Sequence, residues 1–398
     1  MVRNGRVKRG DTLIDPESIE ALQSELKNAI SGDRRVLDEL RADVRPLKDA
    51  TKPIHPRSTT AISLVGTDGG NNRIEFDPFL VQLVRVVDSS NNEYCLEVVT
   101  PTSDRRLVTK RHFAEDGGPP TPLGQMMTKL GVKALWDLSP MIPRPPERDG
   151  PIDPVSPSWV QVYRELTEWA VLLKLVTELH YGTDTVIVAD GNLRSKVFKD
   201  ELFVKYRELL AEAIAEHERT RRRKIYVAGV MKHSKVLQRY RLAMAIEGIL
   251  RTNFPAYIEV PRELEMKSYV WSEYARGDEE AGRLGGEANK FVGGKMFFVK
   301  FGARPHDPVW PVDIFIPQAR EASTILGYML ADAIDGFPVP FYPRCLQKAH
   351  ENAALVDFDM TILQDQVVKS VRSLLGEHSG RLDEMTLQTS DPSAARYG

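Results

Sequence analysis

Cysteine is nearly absent: Cys95 and Cys345 are the two in 398 residues, and they lie far apart. Such a pair supplies neither a disulfide framework nor a thiolate zinc site, and it fits a reducing, cytoplasmic setting with buried thiols. Long apolar runs are missing too. No stretch approaches the roughly 18 residues of a membrane-crossing helix. No apolar segment follows the basic start Met1–Gly10, so neither a signal peptide nor a membrane partner is expected. Neither sign of charge dominates: the net charge is −2 and the pI is near 6.5. That excludes a histone-like polycation and an acidic tail protein, but it does not exclude a local basic groove for nucleic acid. Nucleotide motifs are lacking as well. Gly294-Lys295 is followed by Met296 where a phosphate loop needs Ser or Thr, and Asn289 stands at the place of its first glycine. No Rossmann glycine fingerprint, HExxH or GxSxG is present. ATP hydrolysis by this chain is not expected.

What is present organises around Thr185-Val-Ile-Val-Ala-Asp190-Gly191. A short apolar run bounded by turn residues reads as a buried strand, although periodicity alone leaves a buried helix segment open. As a strand it would carry Asp190 at its C-terminal edge, where open α/β sheets place ligands. The arrangement occurs once before, in Ile62-Ser-Leu-Val-Gly-Thr-Asp68-Gly69-Gly70. Two apolar strands ending in Asp-Gly suggest two carboxylates delivered to one place.

The apolar share of 42% is enough for a sizeable core, in one large domain with additions or in two. Asp15-Pro16 is a helix start, followed by two amphipathic helical pieces within residues 1–58. They read first as a helical hairpin packed on the main domain, and second as a docking arm. Strands are expected at Ala61–Thr67, Phe79–Val87 and Glu93–Val99, as a meander. Residues 116–157 are proline-dense and read as an extended surface crossing with one short helix at Leu123–Leu130. Helix Ser158–His180, the Asp190 strand, helix Lys199–Arg219 and strand Ile225–Val230 form a parallel βαβ unit. A helix to Leu250 follows, then a charged, glycine-rich segment 262–295 with a helix near Leu264–Tyr274. Strands Phe297–Phe301 and Val312–Ile316 come next, then helices Arg320–Ile334 and Pro343–Leu355, with a C-terminal helix and loose tail over 361–398.

Converging carboxylates most economically hold divalent metal, because Mg²⁺ and Mn²⁺ take hard oxygen ligands. Asp-Gly by itself is ordinary turn chemistry; two copies at apolar strand ends make Asp68 and Asp190 a candidate site. Glu165 and Glu168 lie on the preceding helix, and Glu168 shares a face with Arg164, so a solvated Arg–Glu pair competes with a third ligand. Asp313, inside Pro311-Val-Asp-Ile-Phe-Ile316, is exposed by strand alternation or else a ligand. His350 sits on an alanine-rich helix, where a hydrogen-bonded helix residue is the commoner role. Lys232, just after a strand, could meet phosphate.

Taken in order, these places resemble the NurA nuclease family: the Asp68-Gly69 strand end, the helix with Arg164 and Glu168, Val188-Ala-Asp190-Gly191-Asn-Leu193, Val227-Ala-Gly-Val-Met-Lys232-His-Ser234, and the Ala349-His350 helix behind a proline-rich lead-in. They span roughly residues 60 to 360 of the chain. The resemblance implies an α/β, RNase H-like mixed sheet flanked by helices, carried by 59–360. It implies a Mn²⁺- or Mg²⁺-dependent deoxyribonuclease with two ions, a 5′–3′ exonuclease and single-strand endonuclease. It further implies a homodimer that resects DNA ends with a HerA-type hexameric ATPase, in break repair or anti-phage defence. By position, Asp68, Glu168 and Asp190 would be metal ligands, with Asp313 a further candidate, and Lys232 and His350 would contact phosphate or act in the site. The family commonly has Asp-Gly-Ser at both acid turns; Gly70 and Asn192 stand here instead. Two other readings remain: an RNase H-like adaptor that binds DNA and a motor ring without cutting, and a metal phosphoesterase acting on RNA.

Overall fold

The computed structural model describes residues 16–57, 62–76, 79–114, 118–146, 158–269, 289–354 and 357–381. The capping Asp15, most of the expected tail and residues 270–288 of the charged segment lie outside them.

In chain order the elements are α1 (Pro16–Ser31), α2 (Arg34–Val44), β1 (Lys52–Pro53), β2 (Ile62–Phe76), β3 (Phe79–Asp88), β4 (Glu93–Val99), α3 (Arg105–Lys110), α4 (Pro122–Leu130), α5 (Leu135–Leu138), α6 (Ser158–Thr177), β5 (Asp184–Asp190), α7 (Leu202–Arg221), β6 (Ile225–Val230), α8 (Lys235–Glu247), β7 (Ala256–Glu259), α9 (Arg262–Ser268), β8 (Gly294–Lys300), β9 (Val309–Phe315), α10 (Ala322–Ala333), α11 (Arg344–Ala353) and α12 (Asp357–Leu375). Nine strands form one mixed sheet in the order β1-β7-β8-β9-β6-β5-β2-β3-β4. The pairs β2–β5 and β5–β6 are parallel and the others antiparallel. Helices cover both faces, which is the expected mixed sheet flanked by helices.

Strand pleating sorts the core. On β5, Ile187 packs with α4, α6 and α7, while Val186 and Val188 pack with α10 and α11. On β6, Ile225 and Val227 join the first group, and Tyr226, Ala228 and Val230 the second. Met296 and Phe298 of β8 meet α2 and α8 in a third cluster with Val44, Val236 and Tyr240. Gly66 of β2 is what lets α11 lie on the strand: a Cβ there would land on the backbone carbonyl of Cys345. No helix of the described residues is long and apolar enough to cross a membrane.

Three expectations change. β2 does not stop at Asp68. It runs on to Phe76, because the antiparallel ladder with β3 continues through Asp68↔Val87, Gly69↔Val86 and Gly70↔Arg85. The described part of the proline-dense stretch, 118–146, is not only a surface crossing; the rest of it lies outside the described residues. Leu123, Met126, Met127 and Leu130 of α4, then Leu135, Leu138 and Ile142, are buried against α6. Their i, i+3, i+4, i+7 spacing is a helix core face, opened by Pro122 after the Thr121 cap and closed by left-handed Gly131. Of the two N-terminal helices, α2 packs on α8 and ends on buried Val44. Leu22, Leu26 and Ile30 of α1 stay exposed on this chain.

Candidate metal centre

The parallel register of β2 with β5 runs from Ile62↔Asp184 to Thr67↔Ala189. One residue further along it, Asp68 stands beside Asp190. Both positions have the pleat parity of Val186 and Val188, so both carboxylates look toward the α11 side of the sheet. Gly191 follows with a φ of +140°, the sharp departure that its sequence suggested.

Three side chains then close on the acids. His350, on α11, meets Asp68 Oδ2 through Nδ1 at 2.6 Å. Lys232, just beyond β6, donates to Asp190 Oδ2 at 2.6 Å. The Tyr342 hydroxyl donates to Asp190 Oδ1 at 3.2 Å. Asp68 and Asp190 side chains are each 12% exposed, against 41% for Lys232 and 63% for His350. The acids therefore sit at the floor, with the cationic groups at the rim. One ligand atom each from Asp68, Asp190 and His350 falls within 4.8 Å of the others. That is the spacing a single cation needs.

Glu168 arrives from the other face of the sheet, on α6. It reaches the acids because Gly69 has no side chain: a Cβ there would land on the Glu168 carboxylate. Arg164 Nε lies 3.4 Å from Glu168 Oε1. Glu168 thus pairs with Arg164 and also lies against Gly69, next to the acids. Glu165 lines the same cleft but is engaged by Ser195, whose Oγ donates to it at 2.8 Å. Glu168 is the nearer candidate for a third ligand. Asp68, Glu168, Arg164, Asp190 and Asn192 line a cleft of about 320 Å³.

The electrostatics suit a cation. Burial, then the neighbouring Asp68, Glu165 and Asp190, push Glu168 up to about 8 against the pull of Arg164. Burial and Asp68 also raise Asp190, with Lys232 opposing. Two carboxylates and an imidazole able to reach one point, with the Glu168 carboxyl close enough to raise and be raised by them, make a candidate site for a hard divalent ion, and an imidazole is compatible with Mn²⁺. Burial and Asp190 raise the Tyr342 phenol, so it stays protonated and can only donate to that carboxylate.

Asp313 does not belong to this cluster. It pairs with Gly229, which has the opposite parity from Val230 and Asp190, so it points through the other face of the sheet. There it is fully buried, with Arg194 Nε on Oδ2 at 2.9 Å, Arg194 Nη2 on Oδ1 at 3.0 Å and the Leu193 amide on Oδ2 at 3.1 Å. Arg194 also meets Glu265 at 2.5 Å. Both oxygens are committed to the guanidinium, which excludes the expected ligand role and the exposed alternative alike. Tyr342 is the residue that sequence reasoning missed. Its signal was its place in the proline-rich lead-in, eight residues before His350 on the helix that follows.

No family model and no curated protein matches this chain. Among solved structures it is similar to the NurA nuclease from Sulfolobus solfataricus, at 13% identity over 92% of this chain and 98% of that one, with a TM-score of 0.44. It is also similar to NurA with manganese, at 9% identity, 88% and 98% coverage and a TM-score of 0.37. NurA bound to dAMP and manganese gives 11% identity, 86% and 94% coverage and a TM-score of 0.35.

Two consequences of the geometry are measurable. Gly69→Ala displaces the Glu168 carboxylate while leaving the sheet in place, so Mn²⁺ affinity by titration calorimetry should fall about 10- to 100-fold with an unchanged circular dichroism spectrum. Unchanged affinity removes Glu168 from the site. The second concerns protons. A carboxyl whose pKa is raised on folding stabilises the folded chain fully below its ordinary value and loses that contribution as pH rises through the raised one. For Glu168 that window runs from its ordinary 4.5 to about 8. The metal-free melting temperature of wild type relative to Glu168→Gln should therefore fall with rising pH across this window. Added Mn²⁺ should stabilise more at the alkaline end, where its ligands are already deprotonated. A difference that stays flat with pH contradicts the buried-carboxyl account.

Proposed function

We propose that this chain is a divalent-metal-dependent deoxyribonuclease that hydrolyses phosphodiester bonds in single strands and at duplex ends. One observation carries the reading: Asp68, Asp190 and His350 offer ligand atoms within 4.8 Å of one another. Glu168 and a lysine–tyrosine pair stand against the same acids. Asp68, Asp190 and Glu168 would hold Mn²⁺ or Mg²⁺, with two ions in the reading. Ions held there supply an acidified water and neutralise charge on the phosphate.

The chain's own groups do the rest. Lys232 keeps Asp190 ionised and presents an ammonium to a non-bridging phosphate oxygen. Tyr342 fixes the orientation of Asp190. His350 orients Asp68 through Nδ1 and keeps Nε2 for passing a proton to the leaving oxygen as water replaces it on phosphorus. The motif order shared with the NurA family supports the finer reading: 5′–3′ exonuclease and single-strand endonuclease activity, a homodimer, and end resection with a HerA-type hexameric ATPase in break repair or anti-phage defence.

The test is direct. The purified chain, given Mn²⁺ and end-labelled single-stranded DNA, should cut it, and Asp68→Asn or EDTA should stop cutting. Cleavage that persists in either condition refutes the proposal, and tight binding without cleavage by wild type would leave a DNA-binding adaptor.

A further inference from the structure

A second concavity opens on the α11 side of the acids, away from the polar Glu168 cleft. It holds about 330 Å³, within the roughly 300–1,000 Å³ of small-ligand sites. Lys232, Tyr342 and His350 line it, and each hydrogen-bonds one of the acids that line the first cleft. The remaining walls include Trp310, Pro338 and Val339, and its surface is mostly apolar. Trp310 and Tyr342 meet edge to face, with ring centroids 4.9 Å apart and planes at 64°. Val339 is 42% exposed.

The pocket is built in advance. Gln347 is buried on α11 and spends its whole amide on the loop above it. Oε1 accepts from the Val339 amide at 2.9 Å, and Nε2 donates to the carbonyls of Val339 at 3.1 Å and Tyr342 at 2.9 Å. That commits the Gln347 amide to the loop; the exposed surface of the pocket is mostly ring and apolar carbon, with Lys232, His233, His350 and Glu351 also in its lining.

We propose that this pocket receives one unstacked nucleobase of the nucleotide adjoining the scissile phosphate. The inference rests on the nuclease reading above and adds the substrate's form to it. The phosphate would meet Lys232 and His350 at the acids, and the base would meet the Trp310 and Tyr342 surface beside them. Every base has a π-face, so such a subsite accepts all four and refuses a base that is still paired and stacked. Duplex ends must therefore fray, or be opened by a motor, before they are cut.

The experiment uses the full chain with Mn²⁺ and single-stranded oligonucleotides that carry one abasic residue at successive positions. Wild type is expected to cut about tenfold more slowly at one phosphodiester, the one adjoining the abasic residue, in a fixed register. Trp310→Ala and Val339→Glu should lose this discrimination, because they cut the intact strand slowly. Trp310→Phe should keep it. Anisotropy titration of the same strands, with Ca²⁺ in place of Mn²⁺, separates the two proposals. Wild type that cleaves both strands at equal rates, in every register, overturns the pocket and leaves the nuclease standing. Wild type that cuts nothing but binds the intact strand more tightly overturns the nuclease and keeps the base subsite. Failure of both readouts overturns both.

Discussion

Asp190→Asn is expected to lower Mn²⁺-dependent cleavage of single-stranded DNA about a thousandfold, or roughly 4 kcal/mol of transition-state stabilisation. The substitution is nearly isosteric, and the amide oxygen can still accept from Tyr342. What is lost is the anionic charge that would hold a cation next to Asp68, and the ion pair to Lys232 at 2.6 Å. The folded chain should not suffer. Asp190 is a half-buried acid raised by burial and by Asp68, so removing its charge relieves repulsion in the metal-free state. The metal-free melting temperature should stay level or rise, while the shift produced by added Mn²⁺ shrinks. Cleavage at the wild-type rate, with the metal-induced shift intact, would sink Asp190 as a ligand.

Asp313→Asn should do the reverse, with a large loss of stability and only an indirect effect on activity. The carboxylate is fully buried and gives both oxygens to Arg194. Removing one partner of a buried ion pair leaves an under-compensated charge and typically costs about 3–5 kcal/mol. Glu265 remains on Arg194 at 2.5 Å, so the lower end of that range is the expectation. Equilibrium urea unfolding should move to a lower midpoint with an unchanged slope. Activity per folded molecule, measured well below the transition, should stay within a few-fold of wild type. A variant with wild-type stability and lost Mn²⁺ affinity would return Asp313 to the metal centre. The pair Asp190 and Asp313 thus tests the sheet's two faces against each other.

Much of the fold was legible from short-range pattern. β3, β4 and β6 sit where alternation and the Asn91 turn placed them, and Asn91 has the left-handed φ of +63° that such a turn uses. β7, Ala256-Tyr-Ile-Glu259, carries few local marks of a strand: it is short, and Pro255 and Pro261 bracket it. It is a strand because β8 offers it a ladder. The same cause extends β2 beyond Asp68. Asp-Gly-Gly-Asn-Asn carries every local mark of a turn, yet β3 pairs with it residue by residue. Long-range hydrogen bonding outweighed local preference at both places.

The sequence alone determined that two apolar runs lead into acids, and parallel pairing of such runs brings those acids side by side. It also determined that neighbouring strand residues face opposite ways, since that alternation is a property of the backbone. Only the tertiary structure decided which face became the site: α11 lies on one side across Gly66 and brings His350 and Tyr342, while Arg194 and Glu265 fill the other. A strand's own residues cannot encode that choice. It depends on which helices, distant in the chain, pack on each face, and so Asp190 became a candidate ligand while Asp313 became a buried ion pair.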